Sequence, residues 1–210
     1  MKKLIILLTA LMMCLPALAE ALPEAQPAEP LALSAFVFAL PQDVQAVSAD
    51  PDAATASLVH GNGSTRVVAM ALTRVPDEEA DHAAELARLM ELFAPGAQDF
   101  TPLTLTPGFH GLMAVTPYAL EGAGTERVDQ VTVMVLWQTA LRGELLILSG
   151  YDMMGDAAKA RTMIDMLLHA CTVNDAPVLP AAQALPACIP EEELPLPGEA
   201  PAEDETAPAQ

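Results

Sequence analysis

The chain has 210 residues, of which 52% are hydrophobic, and its formal net charge at pH 7 is −19. This acidic balance argues against nucleic acid, whose phosphates select a basic protein face, and against adhesion to anionic lipid, which attracts Lys and Arg. The length allows one domain of ordinary size with appendages.

The N-terminal segment has the features of a secretory signal peptide. It starts with two lysines, continues with an apolar run over residues 4–15, and ends with the A-x-A pattern Ala17-Leu18-Ala19. The apolar run is shorter than the roughly 20 residues of a membrane-spanning helix. We therefore expect cleavage between Ala19 and Glu20, no membrane anchor afterwards, and a secreted or extracytoplasmic protein.

Segments rich in proline and acidic residues flank the central part of the chain. Residues 20–33 alternate Pro with Ala and Glu, and prolines in residues 175–210 are dense enough to block both helix and ladder hydrogen bonds. With residues 1–19 as the signal peptide, we interpret residues 20–33 as a linker and 34–174 as a globular α+β domain. Residues 175–210 are predicted to be a disordered, acidic, Pro-rich tail.

The first half of the domain predicts two hairpins and a helix. Strands are predicted at residues 36–40, 44–47, 55–59 and 66–73. The first pair is joined at Pro41, and the second is joined at Asn62-Gly63, a step that readily supplies the positive φ values of a tight turn. Apolar residues at helical spacing then predict a helix with Asp77 as its N-cap and Pro95-Gly96 as its end.

The second half repeats this order of elements. Strands are predicted at residues 100–105, 109–118, 131–138 and 145–148. Asp156 is the predicted N-cap of the last helix, whose apolar positions fall at i, i+3, i+4, i+7 and i+8. Several strands are apolar on both faces and so need cover on both faces. We expect a mainly antiparallel β-sheet with two amphipathic helices packed on it, an α/β/α-like sandwich of the α+β class.

This element order resembles the PsbP-like fold. The resemblance is carried by Phe36-Val37-Phe38-Ala39-Leu40-Pro41, by the Gly61-Asn62-Gly63 hairpin, and by residues 145–151 leading into the last helix. It covers roughly residues 34–173 and is one of pattern and order, so it supplies no site residues. It implies an accessory or binding protein and not an enzyme.

Two cysteines, Cys171 and Cys188, remain after the signal peptide. In an exported protein an even pair predicts a disulfide, which here would fasten the start of the tail to the last helix. Two free thiols are the alternative.

No motif in the sequence predicts a catalytic residue, a cofactor or a metal site. The histidines, His60, His82, His110 and His169, do not have HExxH or HxH spacing. Four methionines, Met153, Met154, Met163 and Met166, are soft ligands for Cu(I) but are more typical of core packing. The aromatic residues that could form a platform for a sugar or peptide are few: Trp137, Tyr118, Tyr151 and Phe109.

These observations predict an exported, non-enzymatic binding or accessory domain with an unknown protein or glycan partner. One alternative is an extracytoplasmic, hydrolase-type enzyme whose site is assembled from scattered residues, among them His110 and Tyr118. A second alternative is an assembly subunit that pairs through a β-edge.

Overall fold

The computed structural model describes residues 29–77, 79–97, 99–119 and 127–188. The expected cleavage site between Ala19 and Glu20 lies outside these residues. So does the part of the predicted tail from residue 189 onward.

A seven-stranded antiparallel sheet forms the centre of the fold, with strand order β3-β4-β5-β9-β8-β7-β6. Its strands are β3 (Val44–Asp50), β4 (Thr55–His60), β5 (Thr65–Arg74), β6 (Thr101–Leu103), β7 (Phe109–Ala119), β8 (Arg127–Gln138) and β9 (Gly143–Asp152). The central strand β9 pairs with β5 along ten residues, from Thr65↔Asp152 to Arg74↔Gly143. Since every pairing in this sheet is antiparallel, the expected sheet type is confirmed.

Two helices cover opposite faces of this sheet. Helix α1 (His82–Phe93) packs Leu86 and Met90 onto even-numbered residues of β7 and β8. Helix α2 (Ala157–His169) packs its apolar stripe onto the other face, where the larger core lies. The odd and even positions of β8 therefore contribute to two different cores, which explains why that strand is apolar on both faces. The predicted α+β class is confirmed.

A second, four-stranded sheet lies beside α2 and was not predicted. It contains β1 (Leu31–Leu33), β2 (Phe36–Phe38), β10 (Cys171–Val173) and β11 (Ala176–Pro177), in the order β1-β2-β10-β11. The predicted pairing of β2 with β3 is wrong, because β2 pairs with β1 and β10 while β3 pairs with β4. The pairing of β2 with β1 and β10 is accompanied by burial of its two phenylalanines. Phe36 and Phe38 are fully buried in the core under α2.

The folded part is longer at both ends than the predicted 34–174. The end of the expected linker forms β1, and Leu33 is fully buried. Residues at the start of the expected disordered tail form β11 and then bury Val178, Leu179 and Leu185 in the larger core. Prolines prevent a helix here but permit an extended segment that places apolar side chains on a neighbouring surface.

Helix α1 begins later than predicted. Its N-cap is Asp81, whose carboxylate accepts hydrogen bonds from the N–H groups of Ala83 and Ala84, and not Asp77. Asp77 instead accepts a hydrogen bond at its carbonyl from Gln138 on β8. Both aspartates are acceptable caps by type, and the carboxylate of Asp77 accepts a hydrogen bond from the N–H of Glu79 in a turn before the helix.

Candidate functional site

A groove of about 310 Å³ lies between the β4–β5 hairpin and α2. We call it the hairpin–helix groove. Its lining residues come from only these two elements: His60, Asn62, Thr65, Ala158, Lys159, Thr162, Met163 and Met166. The groove combines polar side chains with an apolar floor, as small-molecule sites usually do.

The hairpin side of the groove is held by its turn sequence. Gly63 has a positive φ of 75°, which the tight turn requires. The side-chain oxygen of Asn62 accepts hydrogen bonds from the N–H groups of Ser64 at 3.0 Å and Thr65 at 3.1 Å. The amide nitrogen of Asn62 donates to the hydroxyl of Thr65 at 3.1 Å. The Asn-Gly step predicted this turn correctly.

Asp152, at the end of β9, fastens the hairpin to the segment that leads into α2. Its Oδ2 accepts hydrogen bonds from the hydroxyls of Ser64 at 2.7 Å and Thr65 at 2.8 Å, and its Oδ1 accepts one from the N–H of Met154 at 2.9 Å. The carboxylate is fully buried. Burial alone would raise the pKa of Asp152, but these hydrogen bonds and the charge of Lys159 together lower it below its ordinary value. Asp152 is therefore an ionised, fully satisfied structural anchor behind the groove.

The helix side of the groove is positioned by the N-cap of α2. Asp156 accepts a hydrogen bond from the N–H of Ala158 at 3.1 Å, as predicted for a cap. Its other carboxylate oxygen lies 3.5 Å from the Nζ of Lys159, and both side chains are about half exposed. Because the charge of Lys159 remains accessible, it is available to a ligand in the groove.

His60 contributes a hydrogen-bond donor to the groove. Its Nδ1 accepts a hydrogen bond from the N–H of Asn62 at 3.3 Å. That nitrogen therefore carries no proton in the neutral ring, and the proton lies on Nε2. Among the described residues, Nε2 of His60 has no hydrogen-bond partner.

The other histidines lie away from the groove. His82, at the start of α1, and His110, on β7, have ring centroids 4.6 Å apart. Partial burial and the neighbouring His82 imidazole hold the pKa of His110 below its ordinary value of 6.5. His169 lies 2.9 Å from the carbonyl oxygen of Asp165 and 3.0 Å from that of Gln183. Its position next to the 176–188 segment indicates a structural role.

The two cysteines are free thiols in the structure. Cys171 is buried in β10, and Cys188 is half-buried against the same core. The predicted disulfide between them is not present. Burial raises the pKa of both thiols, so neither side chain has the character of a reactive thiolate.

The predicted soft ligands are divided between two places. Met163 and Met166 line the groove, whereas Met153 and Met154 are exposed before α2. Trp137 packs against the larger core, and Phe109 is buried in it, so these two do not form an exposed aromatic platform. The side chain of Tyr118 lies outside the description.

Within the described ranges, no group of three or more His, Cys, Asp or Glu side chains is placed to hold a metal ion. No helix among the described residues is long and apolar enough to cross a membrane.

The groove residues Asn62, Thr65 and Thr162 were not predicted as site residues, and neither was Lys159. One signal was available in the sequence. Lys159 is the only lysine after Lys3, and it stands in the first turn of a predicted helix, where the helix dipole disfavours a positive charge.

The fold is that of an α+β domain with helices on both faces of an antiparallel sheet. Among solved structures, the chain is similar to LpqN of Mycobacterium tuberculosis, which is described as involved in cell envelope biogenesis. The match has a TM-score of 0.48 and 12% sequence identity, and it covers 71% of this chain and 87% of that one. No family model matches the chain, and no curated protein matches it. The similarity to LpqN carries no function over to this chain, and the PsbP-like resemblance stays an interpretation of the sequence pattern.

Proposed function

We propose that the chain is an exported, non-enzymatic binding domain whose ligand occupies the hairpin–helix groove. The observation that carries this proposal is the groove itself, which has polar side chains on the hairpin and on α2, with the hairpin held by Asp152 at the end of β9. Walls fixed in this way reduce the ordering that a ligand must impose when it binds. Export is supported by the leader at residues 1–19.

The hydroxyl groups of the groove favour binding over hydrolysis. Thr65 donates its proton to Asp152, and Thr162 donates to the carbonyl of Ala158 at 2.8 Å. A general base needs a pKa near the working pH, but the pKa of Asp152 is lowered and its oxygens already accept three hydrogen bonds. An activated nucleophile next to the groove would require a different arrangement of these groups.

The assembly alternative depends on an exposed edge strand, and of the two edge strands of the large sheet, β6 and β3, the longer is β3. This strand is exposed, and Val47 in its middle is 67% exposed. However, its register with β4 shifts between Ala46 and Ser48, which is a β-bulge. Bulges disturb the regular row of N–H and C=O groups that edge pairing needs, and natural sheets use them to prevent such pairing. This supports the groove over the edge as the interaction site.

The proposal is tested with a mixed library of soluble fragments that carry acidic, basic and neutral groups. Binding is followed by ligand-observed NMR on the wild-type chain and two variants. Thr162→Trp fills the groove from an exposed position on α2, and Ala84→Trp places the same side chain at an exposed position on α1.

We expect fragments to bind the wild type and Ala84→Trp, to lose binding in Thr162→Trp, and to be recovered chemically unchanged. Fragments that bind all three proteins equally, or none of them, would overturn the groove as the ligand site. Conversion of a bound fragment into product would overturn the non-enzymatic assignment.

A further inference from the structure

We infer that the hairpin–helix groove takes a small organic acid, with its carboxylate at Lys159 and its alkyl part on the methionine floor. This inference rests on the proposed function, because it assigns the ligand class of the same groove. Among the residues that line the groove, Lys159 is the only one with a full charge, and the chain has no other lysine after Lys3.

The position of Lys159 is unfavourable for helix stability. It is the third residue of α2, close to the positive end of the helix dipole, where acidic side chains are preferred. The ion pair with Asp156, at 3.5 Å and half exposed, is of the kind that contributes little stability. An anionic ligand would offset both the lysine charge and the positive end of the helix dipole.

His60 supplies a second group suited to an anion. The N–H of Asn62 donates to Nδ1 of His60, so the neutral ring presents Nε2–H as a donor. The same hydrogen bond occupies the lone pair that a metal ion would need at Nδ1. Together with the charge of Lys159, this favours an acid over a cation in the groove.

The remaining surface determines what the acid is attached to. Met163 is fully buried beneath the groove, and Met166 and Ala158 continue the apolar surface along α2. Flexible thioethers adapt to unbranched alkyl chains. A volume of about 310 Å³ is at the lower end of the range for ligand sites, so the ligand is small.

The acidic character of the whole chain does not prevent this binding. The nearest buried carboxylate, Asp152, is compensated by three hydrogen bonds and by Lys159 itself. Asp156 lies 3.5 Å from the Nζ of Lys159, but its carboxylate is about half exposed and so is screened by solvent. At 0.15 M salt, the effect of acidic groups more than about 8 Å away is reduced further.

The test compares hexanoate, hexanol and hexylammonium, three probes with the same alkyl chain and different head groups. Amide NMR titrations report on residues 60–65 and 157–166 of the wild type, Lys159→Gln and Lys159→Arg. We expect hexanoate to shift these signals most strongly and to bind Lys159→Gln about fivefold more weakly, as for the loss of one exposed charge pair. Lys159→Arg keeps the charge and should bind within about twofold of the wild type. Denaturation midpoints of the three proteins should agree, because the lysine adds little to the fold.

Equal binding of hexanol and hexanoate would overturn the acid assignment while leaving the groove as a ligand site. Preference for hexylammonium would overturn it in the same way. If none of the probes shifts the groove signals, the acid assignment is also wrong, and the fragment experiment with Thr162→Trp then decides separately whether the groove binds any ligand.

Discussion

Two imidazoles from different elements meet at the beginning of α1. The rings of His82 and His110 are 4.6 Å apart, and Nδ1 of His82 is buried without a hydrogen-bond partner among the described residues. The pKa of His110 is lower in the folded chain than its ordinary 6.5, first because of partial burial and second because of His82. Between these two values the unfolded chain binds more protons than the folded chain.

The free energy of unfolding should therefore fall as the pH is lowered from 7.5 through 6.5 towards the folded pKa of His110. His110→Gln removes the contribution that protonation of His110 makes to this fall. The free energy of unfolding of the variant should therefore fall less over the same interval. Urea unfolding of both proteins at pH 7.5 and 5.5 measures the difference, and titrating groups that do not contact His110 cancel in the comparison. Equal losses in the two proteins would show that the pair is not linked to folding.

Burial also determines the reactivity of the two thiols. It raises the pKa of Cys171 far above its ordinary range and raises the pKa of the half-buried Cys188 as well. We expect two free thiols by mass in the non-reduced protein, with iodoacetamide modifying Cys188 slowly and Cys171 only after unfolding. Cys188→Ser should leave one thiol that resists modification in the native state. A non-reduced mass lower by two hydrogen atoms, with no thiol open to modification, would instead restore the disulfide prediction.

At the scale of elements, Gly150 on β9 allows α2 to approach the sheet closely. A Cβ at this position would lie 2.9 Å from a methyl of Val67, 3.2 Å from the carbonyl oxygen of Arg66 and 3.2 Å from the end of Ile164 on α2. Gly150→Ala should therefore destabilise the fold by roughly 2 kcal/mol, as overpacking of a dense core does. Chemical denaturation measures the loss.

The matched control is Gly61→Ala, next to the hairpin turn. A Cβ there meets only the carbonyl oxygen of Asp43, at an ordinary 3.6 Å, and its φ is not in the positive region. We expect this variant to stay within about 0.5 kcal/mol of the wild type. If both variants have the same stability, the close approach of α2 does not depend on Gly150.

Elements with strong local signals could be predicted from the sequence. The β4–β5 hairpin follows from its Asn-Gly step, and α2 follows from its apolar stripe and the Asp156 cap. The β2–β10 pairing joins Phe38 to Cys171, and no local pattern reports such a distant partner. The groove could not be predicted for the same reason, since it forms only where the hairpin meets α2. Among the groove residues that the sequence analysis did not consider, Lys159 is the one whose position in a helix first turn could have marked it.

At the scale of the whole molecule, the last described segment belongs to the folded domain. The N–H of Leu185 donates to the carboxylate of Asp165 at 2.7 Å, and its carbonyl accepts from the Arg161 guanidinium at 2.6 Å. The N–H of Thr106 donates to the carbonyl of Val178 at 3.1 Å, beside the start of β7. The segment thus connects α2 with the chain just before β7. Proline density predicted disorder for this segment. That prediction is wrong for the described part of the tail, because its contacts need only an extended chain and no regular structure.

Leu185→Ala tests this extension of the domain. The side chain is 3% exposed within the larger core, so its truncation should lower the free energy of unfolding by roughly 3 kcal/mol through lost burial and the cavity that remains. Leu141→Ala removes the same atoms from a side chain that is 92% exposed, and it should change stability by less than about 0.5 kcal/mol. Urea unfolding followed by the fluorescence of Trp137, which packs against the same core, compares the two. If Leu185→Ala behaved like Leu141→Ala, the segment would be an appendage, and the domain would end near residue 174 as its proline content suggested.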